Sequence, residues 1–281
     1  MVKLQIREFD MSTIKDDAVV LLIGKRGTGK STMLRNIMYH MRKKLDVGIA
    51  MCPTEDETDA NDGLHTFIPS CMIYDEYKPN VVTRMLKYQK RYAKRHGKQN
   101  TKRMFVIMDD CMYDKSVMKG KEIRDIHMNG RHRKIFFINA VQYLMDIGPD
   151  LRTNIDYVFA LKENIISNRE KLHKYFLGMF DSYPEFSNTM DTLTDGFSAL
   201  VLNNRVRSTK TEDCVFWYEA NPEEAKDFRL CHPIYWNMEN EYMQPQIESD
   251  DDIDDKTQRR SRLSTSAHKK VEVEKIKRHT L

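Results

Sequence analysis

Residues Ala18-Val19-Val20-Leu21-Leu22-Ile23-Gly24-Lys25-Arg26-Gly27-Thr28-Gly29-Lys30-Ser31-Thr32 run an apolar segment straight into G-K-R-G-T-G-K-S-T. The second part fits G-x-x-x-x-G-K-[ST], a loop whose glycines let the backbone curl and aim N–H groups at phosphates. In such a loop Lys30 is expected on the β- and γ-phosphates and Ser31 on Mg²⁺, with Lys25, Arg26, Gly27, Thr28 and Thr32 completing the wrap. The next residues carry Leu34, Ile37, Met38 and Met41 at the spacing of one helix face. That helix would turn its N-terminus to the anion. Strand, loop and helix in this order predict a nucleoside triphosphate site, the alternative being a chance glycine-rich turn. Kinases, GTPases and motor ATPases share the loop, so the rest of the chain must choose among them.

A chain of 281 residues with 40% hydrophobic content has length for one large domain plus appendages. The start, Met1 to Glu8, lacks the apolar stretch of a signal peptide, and no apolar run nears the roughly 20 residues that cross a bilayer. A soluble, intracellular protein with no membrane span is expected. Cysteines 52, 71, 111, 214 and 231 fall in no C-x-x-C pair and mostly in apolar surroundings, as reduced core thiols do. Cys231-His232 has no second ligand pair nearby, which speaks against zinc. Net charge is +4, and half of it comes from Ser249 to Leu281, where nine Lys/Arg face seven Asp/Glu. Nucleic-acid binding would therefore need a local patch. Lys87, Lys90, Arg91, Lys94, Arg95, Lys98 and Lys102, between Arg84 and Arg103, form one. It reads either as a phosphate-backbone contact or as a solvated helix face.

Apolar runs alternate with helical patterns after the loop, which predicts a mostly parallel sheet flanked by helices. Strands are expected at Val47 to Met51, Cys71 to Tyr74, Met104 to Met108, Lys134 to Asn139 and Tyr157 to Leu161. Helices are expected at Asn80 to Arg95, burying Val81, Val82, Met85, Leu86 and Tyr92, and at Lys121 to Asn129. Thr54 to Gly63, acidic and without period, reads as a surface loop. Further helices are expected at Glu163 to Phe180 and Pro184 to Leu193. Ala199 to Leu202 and Cys214 to Tyr218 then read as a hairpin added to the sheet edge through the turn Arg205 to Asp213. From 249 to 281 an acidic run precedes a basic, Ser-rich one, too poor in apolar residues to fold alone. The expected organisation is an ATPase-type domain over 1–248 and a disordered tail over 249–281.

Met104-Phe105-Val106-Ile107-Met108-Asp109-Asp110 reads as a Walker B strand. Ligands of parallel sheets gather at the carboxyl ends of strands, which puts Asp109 beside the loop, holding Mg²⁺ indirectly or through water. Asp110 could orient the attacking water, a need of enzymes that split water rather than use an acceptor. The next strand ends at Gln142, whose carboxamide could touch the γ-phosphate or the lytic water and act as a sensor. Asn139 could share that task. Arg131, in N-G-R-H, could enter a neighbour's site and stabilise transition-state charge. Arg133 and Arg152 are competing candidates.

Together these residues resemble the FtsK–HerA superfamily of DNA-pumping ATPases, and most closely the genome-packaging ATPases of nucleocytoplasmic large DNA viruses, the poxvirus-like branch. The carriers are the loop, I-M-D-D-C, N-G-R-H, V-Q-Y, L-R-T-N-I-D-Y-V-F and C-V-F-W-Y-E-A, spread from about Ala18 to Ala220. The resemblance implies a RecA-like P-loop NTPase that hydrolyses ATP with Mg²⁺ and translocates double-stranded DNA into a capsid. It implies Lys30 and Ser31 for phosphate and metal, Asp109 for Mg²⁺, Asp110 as catalytic carboxylate, Gln142 as sensor and Arg131 as a finger acting in trans. It further implies a homo-oligomeric ring, a hexamer, around the DNA, with capsid or portal partners, working in the host cytoplasm, the viral factory or the virion. The superfamily usually has Glu where Asp110 stands, one methylene longer. A nucleotide or small-molecule kinase and a non-catalytic ATP-binding adaptor remain the alternatives. A switch GTPase lacks its N-K-x-D stretch here.

Overall fold

Unbroken apolar runs become the inner strands of a parallel sheet in the computed structural model, which describes residues 4–55, 58, 63–111, 117–143 and 147–242. The strands are β1 (Arg7–Glu8), β2 (Val19–Ile23), β3 (Val47–Met51), β4 (Ile73–Tyr74), β5 (Met104–Asp109), β6 (Ile135–Val141), β7 (Tyr157–Ala160), β8 (Ser198–Asn203) and β9 (Val215–Glu219). The helices are α1 (Lys30–Met41), α2 (Pro79–His96), α3 (Lys121–Asn129), α4 (Pro149–Arg152), α5 (Ile166–Tyr175), α6 (Tyr183–Leu193), α7 (Thr211–Cys214) and α8 (Pro233–Tyr242). The sheet order is β1-β9-β8-β7-β2-β6-β5-β3-β4, and every neighbouring pair is parallel except β7–β8 and β8–β9.

All residues of β2 and β6 are buried, as strands covered on both faces must be. Side-chain alternation divides the core in two. Val19, Leu21 and Ile23 pack on the face covered by α2, α3, α5 and α6, while Val20 and Leu22 pack with Met33, Leu34, Ile37, Met38 and Met41 of α1. Two layers of helices thus hold β2 rigidly, and the loop that leaves it starts from a fixed point.

Several boundaries differ from expectation for local reasons. The helix expected over 163–180 is confined to α5, because Glu163 stands ahead of it, accepting from Ile165 N at 2.8 Å and from Asn168 Nδ2 at 2.9 Å. Ser70–Met72 forms a 3-10 turn, which shortens the strand expected from Cys71. On α2, Gln89 rather than Tyr92 is buried, since its amide donates to Lys102 O (2.8 Å) and Arg133 O (3.0 Å). Tyr92 instead lies between Tyr88 and His96 on the helix flank, its ring tilted 36° to each. The expected hairpin exists as β8–β9, but β1, which the sequence does not announce, pairs outside β9, so the hairpin is not the sheet edge. Its connection holds the helical turn α7, which takes Cys214 out of the strand. Helix α8 is a further element without a sequence-level expectation.

The chain divides into Met1–Glu239, which carries the whole sheet, and Asn240–Leu281. The expected boundary at 248 and the tail over 249–281 lie outside the described residues. Among those residues no helix is long and apolar enough to cross a membrane.

Candidate nucleotide-binding site

The loop from Gly24 to Gly29 joins the buried end of β2 to α1, with Gly24 N donating to Val141 O at 3.0 Å. Two glycines are required by their surroundings. A Cβ at Gly24 would lie 2.5 Å from Leu161 Cδ1, and Gly29 combines φ +85° with a Cβ position 2.6 Å from Phe197 Cδ1. Gly29 gives α1 no side-chain cap, so the first amides of the helix stay available to an anion.

Lys30, the first residue of α1, is only 8% exposed. Its Nζ donates to Asp109 Oδ1 and lies 2.9 Å from Asp110 Oδ1. Burial disfavours the lysine charge, but Asp109 and Asp110 outweigh it and raise its pKa. Asp109 is the last residue of β5, 7% exposed and opposite Ala140 of β6. Gln142 lies two residues beyond that Ala140 and its Nε2 donates to Asp110 Oδ2 at 2.8 Å. Asp110 takes φ +52°, a left-handed conformation that is rare off glycine and turns the chain sharply at the strand end.

A cavity of about 390 Å³ is bounded by the loop, Ser31, Thr32, Asp109, Asp110 and Gln142 on one side. Its other wall is Cys52, Thr54, Glu55, Thr58, Gly63, Leu64 and Phe67. The expected residues Lys25, Arg26, Gly27, Gly29, Lys30, Ser31 and Thr32 all line it. Gly24 and Thr28 brace the loop from behind, Thr28 Oγ1 donating to Lys25 O at 2.7 Å. Sequence reasoning misses the second wall, because an acidic, aperiodic stretch reads as solvent loop. The signal that could have found it is position, directly after a strand at the ligand-binding edge of a parallel sheet. Burial raises the Cys52 thiol to about 11, and Cys111, donating to Met51 O at 3.0 Å, is pushed up further, so both are protonated packing groups.

Asn139 does not reach this cavity. It lies 2% exposed within β6, its Nδ2 3.8 Å from Met118 Sδ, because odd-numbered β6 residues point to the α3 face. Arg131 sits at the opposite edge of the sheet, where the strands begin. Its Nη2 donates to Asp156 Oδ1 at 2.7 Å, and Asp156 also accepts from Arg205 (3.0 Å) and Val19 N (2.9 Å). Arg133 is held by Asp125 through two bonds of 2.5 and 2.9 Å, and Arg152 by Ile147 O and the face of Tyr175. None of the three arginines reaches the cavity of its own chain.

Helix α2 turns Arg84, Lys87, Lys90, Arg91, Lys94 and Arg95 to solvent, and none pairs with a carboxylate among the described residues. At the end of the patch, Lys102 pairs with Asp46 at 3.4 Å and Arg103 with Asp16.

Comparison with known proteins places this architecture. An uncharacterized protein of Acanthamoeba polyphaga mimivirus is 33% identical over 84% of this chain and 86% of its own length. An uncharacterized protein of Invertebrate iridescent virus 3 is 36% identical over 72% and 75%. The genome packaging NTPase B204 of Sulfolobus turreted icosahedral virus 2, solved with ATP-γ-S, superposes with a TM-score of 0.51 at 16% identity, over 73% of this chain and 98% of that one. At that identity the likeness concerns the fold alone, a P-loop NTPase sheet with its flanking helices. The family described as Poxvirus A32 protein matches residues 6–177, more than half of the sequence, and the chain belongs to that family.

Proposed function

We infer that this chain is an ATP-hydrolysing motor that moves double-stranded viral DNA into a capsid. The observation that carries the reading is the convergence of Lys30, Asp109, Asp110 and Gln142 on one cavity at the head of α1. A binding-only adaptor has no use for the Asp110–Gln142 pair, and a kinase brings its own nucleophile with its acceptor. Membership in a viral family with a packaging-NTPase fold supports the DNA cargo.

Lys30 leaves the two carboxylates for the β- and γ-phosphates, while the free amides of α1 take the remaining phosphate charge. Asp110, held by Gln142, orients the attacking water, and Gln142 reports the loss of the γ-phosphate through that same hydrogen bond. The donor set fits Mg²⁺, since the Ser31 hydroxyl and the Asp109 carboxylate are hard oxygen ligands on one cavity. When bound, the ion would supply charge neutralisation on the β- and γ-phosphates.

The subunits act as a ring, a hexamer, in which Arg131 of one copy serves the site of the next. The motor engages a portal or capsid component and works in the cytoplasm or viral factory, or within the virion. The experiment is ATP hydrolysis by the purified chain with and without double-stranded DNA, alongside sizing with ATP. DNA-stimulated hydrolysis by an oligomer is expected, and a monomer that hydrolyses nothing but phosphorylates an acceptor would overturn the reading.

A further inference from the structure

We propose that Glu55, held by His65, is a second water-activating carboxylate of this site, a role that rests on the ATPase reading. Strand β3 runs beside β5 with Met51 opposite Met108, so the chain leaves β3 next to Asp109. Glu55 follows three residues after Cys52 and lines the same cavity as Lys30, Asp109, Asp110 and Gln142. Its side chain is 11% exposed.

One of its oxygens is anchored and the other is not. Oε1 accepts from His65 N at 2.8 Å and lies 2.7 Å from His65 Nδ1, so the turn Leu64–Thr66 fixes the carboxylate through both backbone and imidazole. Oε2 makes no hydrogen bond among the described residues. The Glu55 charge also works against that of Asp109. A near-buried carboxylate set against another acid costs stability, and such arrangements gather where chemistry needs them.

Asp110 is hydrogen-bonded to Gln142 through Oδ2, and its Oδ1 is paired with Lys30 until nucleotide draws that lysine away. It is also a methylene shorter than Glu, whereas Glu55 brings the longer reach and an open oxygen. In the step assigned to Glu55, the oxygen of a water bonds to the γ-phosphorus. The bond from that phosphorus to the β,γ-bridging oxygen breaks, and its electron pair leaves on ADP. The water proton passes to Glu55 Oε2 and from there to the released phosphate. His65 is a positioning residue that aims the carboxylate.

The test is steady-state ATP hydrolysis with DNA, together with ATP affinity and thermal melting, for the full chain and for E55Q, H65A, H65Q and D110N. E55Q is expected to bind ATP like wild type while kcat falls about 100-fold or more. H65A is expected to lose about tenfold in kcat at unchanged KM, and H65Q, whose amide can still donate to Glu55, to regain most of it. A folded E55Q with kcat within about threefold of wild type, or one that has lost ATP binding, overturns the proposal. If E55Q does not fold, equal kcat for H65A, H65Q and wild type overturns it. An active E55Q beside an inactive D110N would remove this role and leave the motor reading standing, whereas a wild-type chain without hydrolysis would remove both.

Discussion

Lys30 and Asp110 form an ion pair, 2.9 Å from Nζ to Oδ1, across the floor of the nucleotide cavity. With Asp109 on the same ammonium, the lysine at the head of α1 and the two acids at the end of β5 hold one another. On the proposed reading triphosphate competes for Lys30, and release of that lysine frees the carboxylates for metal and water. The two acids and the lysine act as one electrostatic unit.

Lys30→Ala should abolish ATP binding and also destabilise the fold, on the order of 3 kcal/mol, by leaving two near-buried carboxylates without their cation. Asp110→Asn should keep ATP binding and lower kcat at least 100-fold, as expected for roughly the lower bound of a positioned acid or base. Equilibrium unfolding and nucleotide titration check the first, single-turnover hydrolysis the second. A double-mutant cycle of Asp110→Asn and Gln142→Ala should show coupling of roughly 0.5–3 kcal/mol in transition-state stabilisation, because the two side chains share a hydrogen bond.

Arg131→Ala should fold, because Arg205 and Val19 N still satisfy Asp156 when the guanidinium is gone. If Arg131 serves a neighbour, the variant should bind ATP normally and hydrolyse it roughly 10³-fold more slowly or worse. Mixing it with Lys30→Ala protein should restore part of the activity, since some interfaces then combine an intact loop with an intact arginine. Absence of recovery in co-assembled rings would exclude Arg131 as the finger. Arg133→Ala should instead lower the melting temperature, as it removes both Arg133 bonds to Asp125 and leaves that carboxylate with the Asn129 Nδ2 bond at 2.7 Å.

His127 gives the fold a pH dependence of definite sign. Its ring packs edge-on to Phe137 at 5.4 Å, neither nitrogen has a hydrogen-bond partner among the described residues, and burial lowers its pKa to about 4. The unfolded chain takes up the proton first, so the contribution is intact above the ordinary value of 6.5 and is lost as pH falls towards 4. At about 1.36 kcal/mol per pH unit the loss is on the order of 3 kcal/mol. Denaturant unfolding of His127→Leu across this window should show a shallower decline than wild type.

Replacing Lys87, Lys90, Lys94 and Lys98 by Gln should weaken DNA binding and flatten its salt dependence if α2 lies along the duplex. The log–log slope should fall by about 0.9 for each phosphate contact removed. An unchanged slope would return the helix to a solvated face. DNA-independent hydrolysis should persist in either case, as none of these side chains lines the nucleotide cavity.

Local chemistry is enough for the elements that carry the phosphate site. The loop glycines, the apolar runs of β2, β5 and β6 and the helical spacing of α1 are each set by neighbours in sequence, so Lys30, Ser31, Asp109, Asp110 and Gln142 are legible from residue order alone. The inner sheet is legible for the same reason, since strands buried on both faces write continuous apolar runs. Relations between distant segments required tertiary structure. The two-residue strand β1 has no periodic signal and exists only because β9 offers it a partner. Asn139 and Gln142 look alike as strand-end carboxamides, and pleat direction separates them, sending Asn139 to Met118 and Gln142 to Asp110. Glu55 becomes part of the site because β3 pairs with β5 and because His65, ten residues later, folds back onto its carboxylate. The sequence determines which residues can bind phosphate, whereas the register of the sheet and the closure of its loops determine which carboxylates stand around it.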